Sequence, residues 1–503
     1  MKPEIFLPIL IPLLTGALSL ALWRSLLAQR VLGVIGTGAM LAASIWLLAV
    51  TAEQGHVVVD LGGWPAPFGI TLVTDVLAAI MVFMTALMGF ATALYSLATI
   101  PESHERFGYY PLMHLLIAGV AGGFMTGDIF NLYVWFEILL LASFALLTLG
   151  GERAQMEGAI KYVTLNLFAS VMFLAAVGLT YGMLGTLNMA DIADKVGQLD
   201  SDETGMVTVV AMMYMVAFGI KAAAFPLFFW LPASYHTPLF SVSAVFAGLL
   251  TKVGVYALMR MFTLVFTGDV GFTHEVLLWA SALTMLTGVL GAAAQTDFRK
   301  ILSFHIISQI GYMTLGLAIY TPLGIMGGVF YLVHHIIVKA NLFLIAGLGG
   351  RLAGSTDLNR IGGLYKSSPM LGALFIIPAF SLAGFPPLSG FWAKYLIVKA
   401  SLEIEAWFIA FIALLVGLLT VFSMTKIWGE AFWKPHPDKV EPHFGRVTRP
   451  VLWASLTPII GLAVLTIIIG LGPQPFVEFA ERSAEQLLDP SAYVATVLGE
   501  GAQ

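Results

Sequence analysis

Long apolar segments follow one another along almost the whole chain, and they constrain its fold more than any other feature. We count fourteen such segments, and none alternates apolar with polar residues as a half-buried strand would. A helix that crosses a bilayer needs about 20 mostly apolar residues, and only helices or closed barrels satisfy their backbone in hydrocarbon. Only 11% of the residues are charged, against roughly 25% in soluble domains. The sequence therefore predicts an all-α, polytopic membrane protein of about fourteen transmembrane helices.

Short loops separate the predicted spans. The spans cover residues 3–22, 31–51, 70–98, 108–126, 128–149, 160–185, 205–230, 239–263, 275–295, 300–320, 323–349, 368–398, 404–428 and 450–472. The first is interpreted as a span rather than a signal peptide, because no convincing cleavage site follows it. An amphipathic segment near 474–498 is expected at the membrane surface. This pattern divides the chain into four parts: 1–107, 108–263, 275–428 and 450–503.

The distribution of Lys and Arg predicts the orientation. With the N-terminus outside, fourteen of these residues fall in or beside cytoplasmic loops and five on the outer side. We therefore expect a bacterial inner-membrane protein with both termini outside. The chain has no cysteine, which excludes thiolate and iron–sulfur chemistry. No phosphate-binding loop or metal-ligand cluster is apparent, and the diffuse net charge of −5 indicates no nucleic-acid partner.

A short internal repeat lies inside two of the apolar segments. The sequence Ala223–Leu227 recurs 160 positions later as Ala383–Pro387. Proline removes a helix hydrogen bond, and paired proline-interrupted segments are typical of the midplane sites of transporters. The candidate helix breaks are marked by Pro226, Pro232, Pro386 and Pro387. We expect helices 7 and 12 to be discontinuous over 225–232 and 385–390. Spans 4–8 and 9–13 would then form two repeats of five helices, the second inverted.

Several ionisable residues fall within the spans, where a charge costs roughly 2.5–3.5 kcal/mol at the bilayer centre. The candidates for a proton relay are Glu137, Lys221, Lys252, His335, Lys339 and Lys394. Burial favours the neutral amine of a lysine and a nearby carboxylate favours the ammonium ion, so a Glu137–Lys pair can act as a switch. Histidine titrates near neutral pH and can link such lysines. The alternative for each residue is a static packing pair or a lysine that reaches the interface.

Three further residues are weaker candidates for the same relay. Lys161 lies at the edge of the sixth span, where reaching the interface is as good an explanation as a relay role. His305 is near the start of a span and is equally well explained by packing. His334 adjoins His335, but adjacent residues lie on different helix faces and are poorly placed to hold a metal together.

Acidic residues are scarce within the spans. Glu137 is the only carboxylate deep in hydrocarbon apart from Asp75, which lies near the start of the third span and is the candidate cation ligand. A sodium site needs several oxygen ligands and usually net negative charge. The five lysines within the spans disfavour sodium, so we expect this chain to carry protons while Na⁺ crosses elsewhere.

Several motifs resemble those of the proton-translocating, antiporter-like membrane subunits. This family spans respiratory complex I, membrane-bound hydrogenases and the Mrp cation/proton antiporters. The motifs are Asp128–Glu137, Gly219–Pro226, Leu231–Pro238, Leu250–Tyr256, Ser303–Tyr312 and Ala383–Phe391. They occur in the family's order over roughly residues 70–430. Phe130–Glu137 and Phe246–Arg260 most resemble the Mrp D subunits, and the 503-residue length lacks the long C-terminal extension of larger members.

The resemblance implies a fold of two inverted five-helix repeats with discontinuous helices 7 and 12. It implies that Glu137 and Lys221 form a switching pair and that Lys252 continues the path. It also implies that His335 and Lys339 lead to Lys394 as the terminal lysine. No catalytic nucleophile or cofactor is required, and other membrane subunits are expected as partners.

Three functions remain open on the sequence. The leading one is a subunit of a multi-subunit Na⁺(K⁺, Li⁺)/H⁺ antiporter. The second is a non-redox, proton-pumping subunit of complex I or a hydrogenase, which would share every buried charge. The third is a stand-alone transporter of a small organic substrate, against which the lysines and histidines of the pathway argue. Neighbouring genes or co-purifying subunits would separate the first two.

Overall fold

The computed structural model describes residues 3–199, 204–437 and 448–499. The ends of the first and last predicted parts, 1–2 and 500–503, lie outside the described residues. Within them, twelve helices are long and apolar enough to cross a membrane. Two shorter apolar helices, Tyr109–Met125 and Pro369–Ala383, lie where the fourth and twelfth spans were predicted. The predicted polytopic helical fold is confirmed.

The described helices follow the predicted order. In sequence they are α1 (Leu7–Ala21), α2 (Leu26–Gln54), α3 (Val76–Thr99), α4 (Glu102–Arg106), α5 (Tyr109–Met125), α6 (Ile129–Leu147), α7 (Arg153–Leu184), α8 (Met189–Gly197), α9 (Thr204–Ala222), α10 (Trp230–Ser234), α11 (Phe240–Val245), α12 (Thr251–Leu264), α13 (Val270–Ala294), α14 (Phe298–Ile319), α15 (Pro322–Ala353), α16 (Leu364–Ser367), α17 (Pro369–Ala383), α18 (Ser389–Glu403), α19 (Trp407–Ile427), α20 (Arg449–Leu471), α21 (Gln474–Leu488) and α22 (Ser491–Leu498).

Aspartate side chains begin three of the long helices. Asp75 accepts a hydrogen bond from the backbone N–H of Ala78 (2.8 Å) at the start of α3. Asp128 and Asp297 make the equivalent contacts at the starts of α6 and α14, with backbone N–H groups at 2.7 and 3.0 Å. These caps satisfy donors that the first turn of a helix leaves unpaired. The capping residues thus determine where each span begins.

A small β-hairpin and the two C-terminal helices lie at one end of the bundle. Strands β1 (Val57–Asp60) and β2 (Thr71–Thr74) pair antiparallel. The predicted amphipathic segment 474–498 forms α21 and α22. The side chain of Gln486 accepts a hydrogen bond from Val76 N and donates one to Gly55 O, each 3.0 Å long. The C-terminal segment is therefore joined to the bundle by polar contacts as well as by packing.

Burial differs strongly between helices and identifies the centre of the bundle. The apolar window of the helix Phe240–Leu264 is entirely buried, and those of α14 and α15 are 94% buried. For α2 and α7 the buried share is only 33%. A hydrophobic helix that is buried all round belongs to the interior, whereas the other two expose apolar faces to lipid or partners. The central helices carry Lys252, His305 and Lys339.

Both proline motifs interrupt their helices, as predicted. The first break covers residues 223–229, so the chain is helical again at 230–232, where the prediction still placed irregular backbone. The second covers 384–388, slightly earlier than the predicted 385–390. Neighbouring side chains satisfy the backbone at the first break: Trp230 Nε1 donates to Ile220 O (3.1 Å), and Phe225 N donates to Thr284 Oγ1 (2.8 Å). Such contacts make non-helical backbone tolerable at membrane depth.

Candidate functional site

The first part of the candidate site lies where α6, α7 and α9 meet. Lys221, in the last turn of α9, is buried, and its Nζ donates to Ser170 Oγ of α7 (2.9 Å). The ammonium group also lies 5.2 Å from the ring centre of Phe136, on α6. The break after residue 222 allows this side chain to end beside α7 rather than within a continuous helix.

Glu137 follows Phe136 on α6 and is half-buried. Its Oε1 is buried without a hydrogen-bond partner among the described residues. Within the same residues, Glu137 and Lys221 form no ion pair, although they are close enough to interact electrostatically. Lys221 is thus held by a neutral hydroxyl with the carboxylate nearby, and the proposed switching pair remains a prediction.

Lys252 lies at the start of α12, directly after a π-helical turn at Phe246–Leu250. Its Nζ donates to Ala247 O (2.5 Å) and to Thr251 Oγ1 (3.2 Å). A π-helical turn widens the backbone ring, and such turns frequently occur at functional sites. Here the turn places a carbonyl within reach of a fully buried ammonium group.

The middle of α15 carries the largest group of buried polar atoms without partners. Both ring nitrogens of His335, Nζ of Lys339 and both amide atoms of Asn341 have no hydrogen-bond partner among the described residues. His335 and Lys339 are four residues apart and therefore lie on one face of the helix. The His335 ring is close enough to interact electrostatically with four neighbours: Lys252, Lys339, His334 and His305.

Two further histidines extend this group. His305, on α14, is fully buried and neither ring nitrogen has a partner among the described residues. His334 Nδ1 shares a hydrogen bond of 2.8 Å with Ser389 Oγ, at the start of α18. His334 thus joins the group on α15 to the second helix break. Both weaker histidine candidates thus interact with other buried bases, and their relay role stays a prediction.

Lys394 lies beyond the second break, on α18. Its Nζ donates to Ala383 O (3.0 Å), the last carbonyl of α17, and lies 5.2 Å from the ring centre of Tyr312. The half-buried side chain lines a cavity of 580 Å³ together with Lys399 and residues of the break. Lys399 is exposed and lies 3.7 Å from Glu403. Lys394, unlike Lys399, therefore contacts the helix end at the second break.

These groups are together called the row, and they form two sets. Glu137 interacts electrostatically with Lys221, and further interactions of this kind link Lys252, Lys339, His335, His305, His334 and Lys394. The two sets adjoin where Gly254 of α12 packs against Lys221 and Ala222 of α9. Buried polar atoms in proteins are nearly always hydrogen-bonded, to ordered water if to no protein atom. Nitrogen atoms of His305, His335 and Lys339 have no such partner among the described residues. Such a row can pass protons between bases.

Two predicted residues lie apart from the row. Lys161 is exposed on α7 and pairs with Glu157 (2.6 Å) one turn earlier, which leaves its relay role a prediction without geometric support. Asp75 is buried and pairs with Arg260 of α12 (2.6 Å), while its other oxygen caps α3. A protein cation thus contacts the carboxylate where the sequence suggested a sodium ligand, and that role also remains a prediction.

A cavity of 490 Å³ adjoins the first break on its far side from Lys221. Its lining includes Glu157, Lys161, Pro232 and His236. Burial lowers the pKa of the His236 imidazole, against a hydrogen bond from Nδ1 to Pro232 O (2.8 Å) that raises it. Since the ordinary value is near 6.5, His236 is mainly neutral at pH 7. A neutral imidazole can accept a proton and pass it on.

The neutral residues that contact the buried bases were not predicted, because only charged residues and histidines were considered as candidates. Ser170, Asn341, Tyr312 and Ser389 all contact or adjoin the row. Polar residues within otherwise apolar spans were the available signal. Among the described residues, no group of three or more His, Asp or Glu side chains could hold a metal ion.

Comparisons with known proteins place the chain among ion-translocating membrane subunits. The family model described as "NADH:quinone oxidoreductase/Mrp antiporter, TM" matches residues 126–420. The D subunit of the Na⁺/H⁺ antiporter of Alkalihalophilus pseudofirmus is 46% identical over 500 residues, covering 99% of this chain and all of that protein. A chain of the Mrp complex from Dietzia sp. has a TM-score of 0.90 at 33% identity, with 99% and 100% of the two chains covered. A chain of an archaeal membrane-bound sulfane sulfur reductase reaches 0.91 at 26% identity, with the same coverage.

Proposed function

The chain belongs to the NADH:quinone oxidoreductase/Mrp antiporter family, among the Na⁺/H⁺ antiporter D subunits, and from this premise we propose how it moves protons. It is a multi-pass membrane subunit of a multi-subunit Na⁺/H⁺ antiporter, a transporter component rather than an enzyme. Within that assembly, the buried row from Glu137 to Lys394 conducts protons. The redox-complex alternative has weaker support, since the sulfane sulfur reductase chain is 26% identical, against 33% for the chain of the Mrp complex.

The observation that carries this proposal is the electrostatic character of the row. It contains four lysines and three histidines, and one carboxylate at its end. Nitrogen bases that alternate between charged and neutral forms can hand on a proton, whereas a fixed row of cations cannot. Burial favours the neutral amine of each lysine, because a charged ammonium group is costly in a low-dielectric environment.

Glu137 controls whether Lys221 is charged or neutral. Lys221 donates to Ser170 in the described arrangement, 2.9 Å away, with the carboxylate not yet in contact. When Glu137 approaches, the ammonium form of Lys221 is favoured, and when it withdraws the proton is released towards Lys252. Lys339 and His335 then carry the proton to Lys394, which lines the 580 Å³ cavity at the second break. Each step transfers one proton from a nitrogen to the next base and leaves the donor neutral.

Sodium crosses elsewhere in the assembly, in our proposal. Asp75 is the one carboxylate that sequence analysis offered for it, and both its oxygens are engaged, by Arg260 and by Ala78 N. A sodium site requires several oxygen ligands with net negative charge. The row instead consists mostly of nitrogen bases that become positively charged.

The two halves of the chain support the inverted-repeat interpretation. An isolated antiparallel bridge joins Asp128 to Asn188, and an equally spaced one joins Asp297 to Asp357. Helices α7 and α15, which follow these aspartates, are each 32 residues long. We propose that 108–263 and 275–428 are inverted repeats in a bacterial plasma membrane, with both termini outside.

The switch is tested by removing each of its members. Glu137→Gln and Lys221→Gln should each reduce antiport to background while the complex still assembles, because neither group alone can cycle the proton. The measurement is sodium-induced dequenching of a pH-sensitive dye in everted membrane vesicles that contain the whole complex. Lys161→Gln is the matched control, since it removes a lysine of the neighbouring helix that is exposed and paired with Glu157. Near-normal antiport by either test variant would overturn the relay.

A further inference from the structure

A third cavity, whose lining contains no residue of the row, lies where the C-terminal ends of α3 and α15 meet the starts of α11 and α14. Its volume is 430 Å³. Its lining combines two arginines with small and apolar residues: Tyr95, Leu239, Phe240, Arg299, Gly350 and Arg351 are among them. The predicted orientation places this end of the bundle in the cytoplasmic headgroup layer.

Arg299, in the first turn of α14, extends into this cavity with spare donors. Its Nη2 donates to Pro238 O and to Ser243 Oγ (2.9 Å), and the guanidinium lies 4.2 Å from the ring centre of Phe240. Its Nε is buried without a partner among the described residues. These contacts hold the group in place and leave one of its hydrogen-bonding edges unused.

Arg351, in the last turns of α15, is the second cation. Its Nη1 donates to Ala98 O (2.9 Å) at the end of α3. Within the described part of the chain, neither arginine forms an ion pair. Asp297 and Glu152 act on Arg299 electrostatically. Asp297, however, uses its oxygens to accept from Lys300 N and Thr356 Oγ1.

Glycines of α15 let the side chains of the cavity lining pack closely against that helix. A Cβ at Gly347 would lie 2.5 Å from Tyr95 Oη, and one at Gly350 would lie 2.9 Å from Thr356 Cγ2. Leu239 and Phe240 make the opposite wall apolar. Two unpaired guanidinium groups beside an apolar wall, at the end of transmembrane helices, match a phosphate group that carries a hydrophobic remainder.

We propose that this cavity binds a phosphate-bearing anion, held between Arg299 and Arg351, as an anionic phospholipid headgroup or as free phosphate. The guanidinium fork matches the geometry of phosphate oxygens, and Arg prefers such contacts to Lys. Binding would tie α3, α11, α14 and α15 together at one end. It would thereby stabilise the ends of two helices that carry His305 and Lys339 further along.

Hydrogen–deuterium exchange of the assembled complex tests the proposal. One set of nanodiscs contains phosphatidylcholine alone, a second contains phosphatidylglycerol as well, and a third contains phosphatidylcholine with inorganic phosphate added. We expect residues 345–358 to exchange more slowly in the second or third set than in the first. Protection by phosphatidylglycerol alone identifies the lipid, and protection by phosphate identifies the free anion.

Variants locate the effect. Arg351→Gln should weaken the apparent affinity for the anion about fivefold, since a basic residue near a membrane surface contributes about 1 kcal/mol. Arg299→Gln should do the same, and Arg351→Lys should retain part of the binding. Arg360→Gln is the control, because Arg360 is exposed on the same end, outside the cavity, and pairs only loosely with Asp357 (3.7 Å).

Three results would overturn the proposal. The first is no added protection in either anionic set. The second is protection that Arg351→Gln and Arg299→Gln leave unchanged. The third is full protection already in phosphatidylcholine without phosphate, which would mean that the cavity needs no ligand of net negative charge.

Discussion

Lys394 and Lys399 are five residues apart on α18, and they show how single positions differ within one helix. Lys394 is half-buried and donates to the last carbonyl of α17, while Lys399 is exposed and lies near Glu403. A charge that is partly removed from lipid and water must be compensated, whereas a lysine near an interface reaches solvent. The same residue type therefore lies in two different environments, and our proposal gives only Lys394 a role in proton transfer.

This contrast leads to a prediction for the second break. Lys394→Ala should lower antiport far more than Lys399→Ala, because only the first removes a base from the row. Rates of sodium-induced proton movement in everted vesicles, normalised to the amount of assembled complex, provide the comparison. Equal losses of antiport in the two variants would show that this part of α18, rather than the Lys394 side chain, is needed for transport.

The buried pair of Asp75 and Arg260 yields a prediction about stability. Arg260→Gln leaves a carboxylate buried without its cation, which typically costs about 3–5 kcal/mol. Asp75→Asn combined with Arg260→Gln should recover much of that loss. Thermal denaturation of the purified complex measures both, and a double variant no more stable than Arg260→Gln would contradict the coupling.

Asp75 is also the candidate cation ligand, and that role can be tested. We expect Asp75→Asn to leave the apparent affinity for Na⁺ unchanged, since Arg260 and Ala78 N already occupy its oxygens. Sodium titrations of antiport in vesicles decide this. A shift in sodium affinity with unaltered proton uptake would instead assign Asp75 to the sodium path.

At the scale of elements, the end of α9 is positioned by a glycine of α12. A Cβ at Gly254 would lie 2.5 Å from Ala222 N and 2.9 Å from Lys221 C. Only a residue without a side chain allows the two helices to approach so closely. This contact lies next to Lys221 and two residues beyond Lys252. The packing of α9 against α12 therefore positions both lysines.

Gly254→Ala should therefore displace Lys221 and reduce antiport, with a destabilisation of about 1–3 kcal/mol from overpacking. Gly219→Ala is the matched control on α9, because a Cβ there meets nothing within 4 Å. Antiport rates and thermal denaturation of both variants are the measurements. If Gly219→Ala were as harmful as Gly254→Ala, the close approach would not be the cause.

At the scale of the whole molecule, the row combines one carboxylate, Glu137, with several nitrogen bases, and apolar faces of α2 and α7 lie outside the core. Such a row favours protons over sodium, which needs several oxygen ligands. In our proposal the chain therefore carries the proton limb of an exchange that needs other subunits.

The corresponding prediction concerns the isolated chain. Reconstituted alone in liposomes with an enclosed pH-sensitive dye, it should show no sodium-driven proton movement, while the complete complex does. The dye response to an imposed sodium gradient is the measurement, and liposomes of the complex with Lys221→Gln serve as a negative reference. Sodium-driven exchange by the pure chain would refute the division between proton and sodium paths.

The sequence by itself determined the spans, the two breaks and the identity of the buried bases. Lipid imposes long apolar runs on a helix, so the spans are visible as local patterns. The cost of a charge in hydrocarbon makes Lys252 and Lys339 conspicuous wherever they are packed. Proline at 226 and 386 interrupts a helix for reasons local to the backbone.

Only the tertiary structure decided which groups face each other. Arg260 and Asp75 are 185 residues apart in the chain, and Lys221 and Ser170 are 51 apart. Helix rotation and packing determine such pairs, and neither is encoded in a local pattern. For the same reason Lys161, an equally plausible lysine by sequence, lies on an exposed face, because its side of α7 turns away from the helices that bury Lys221.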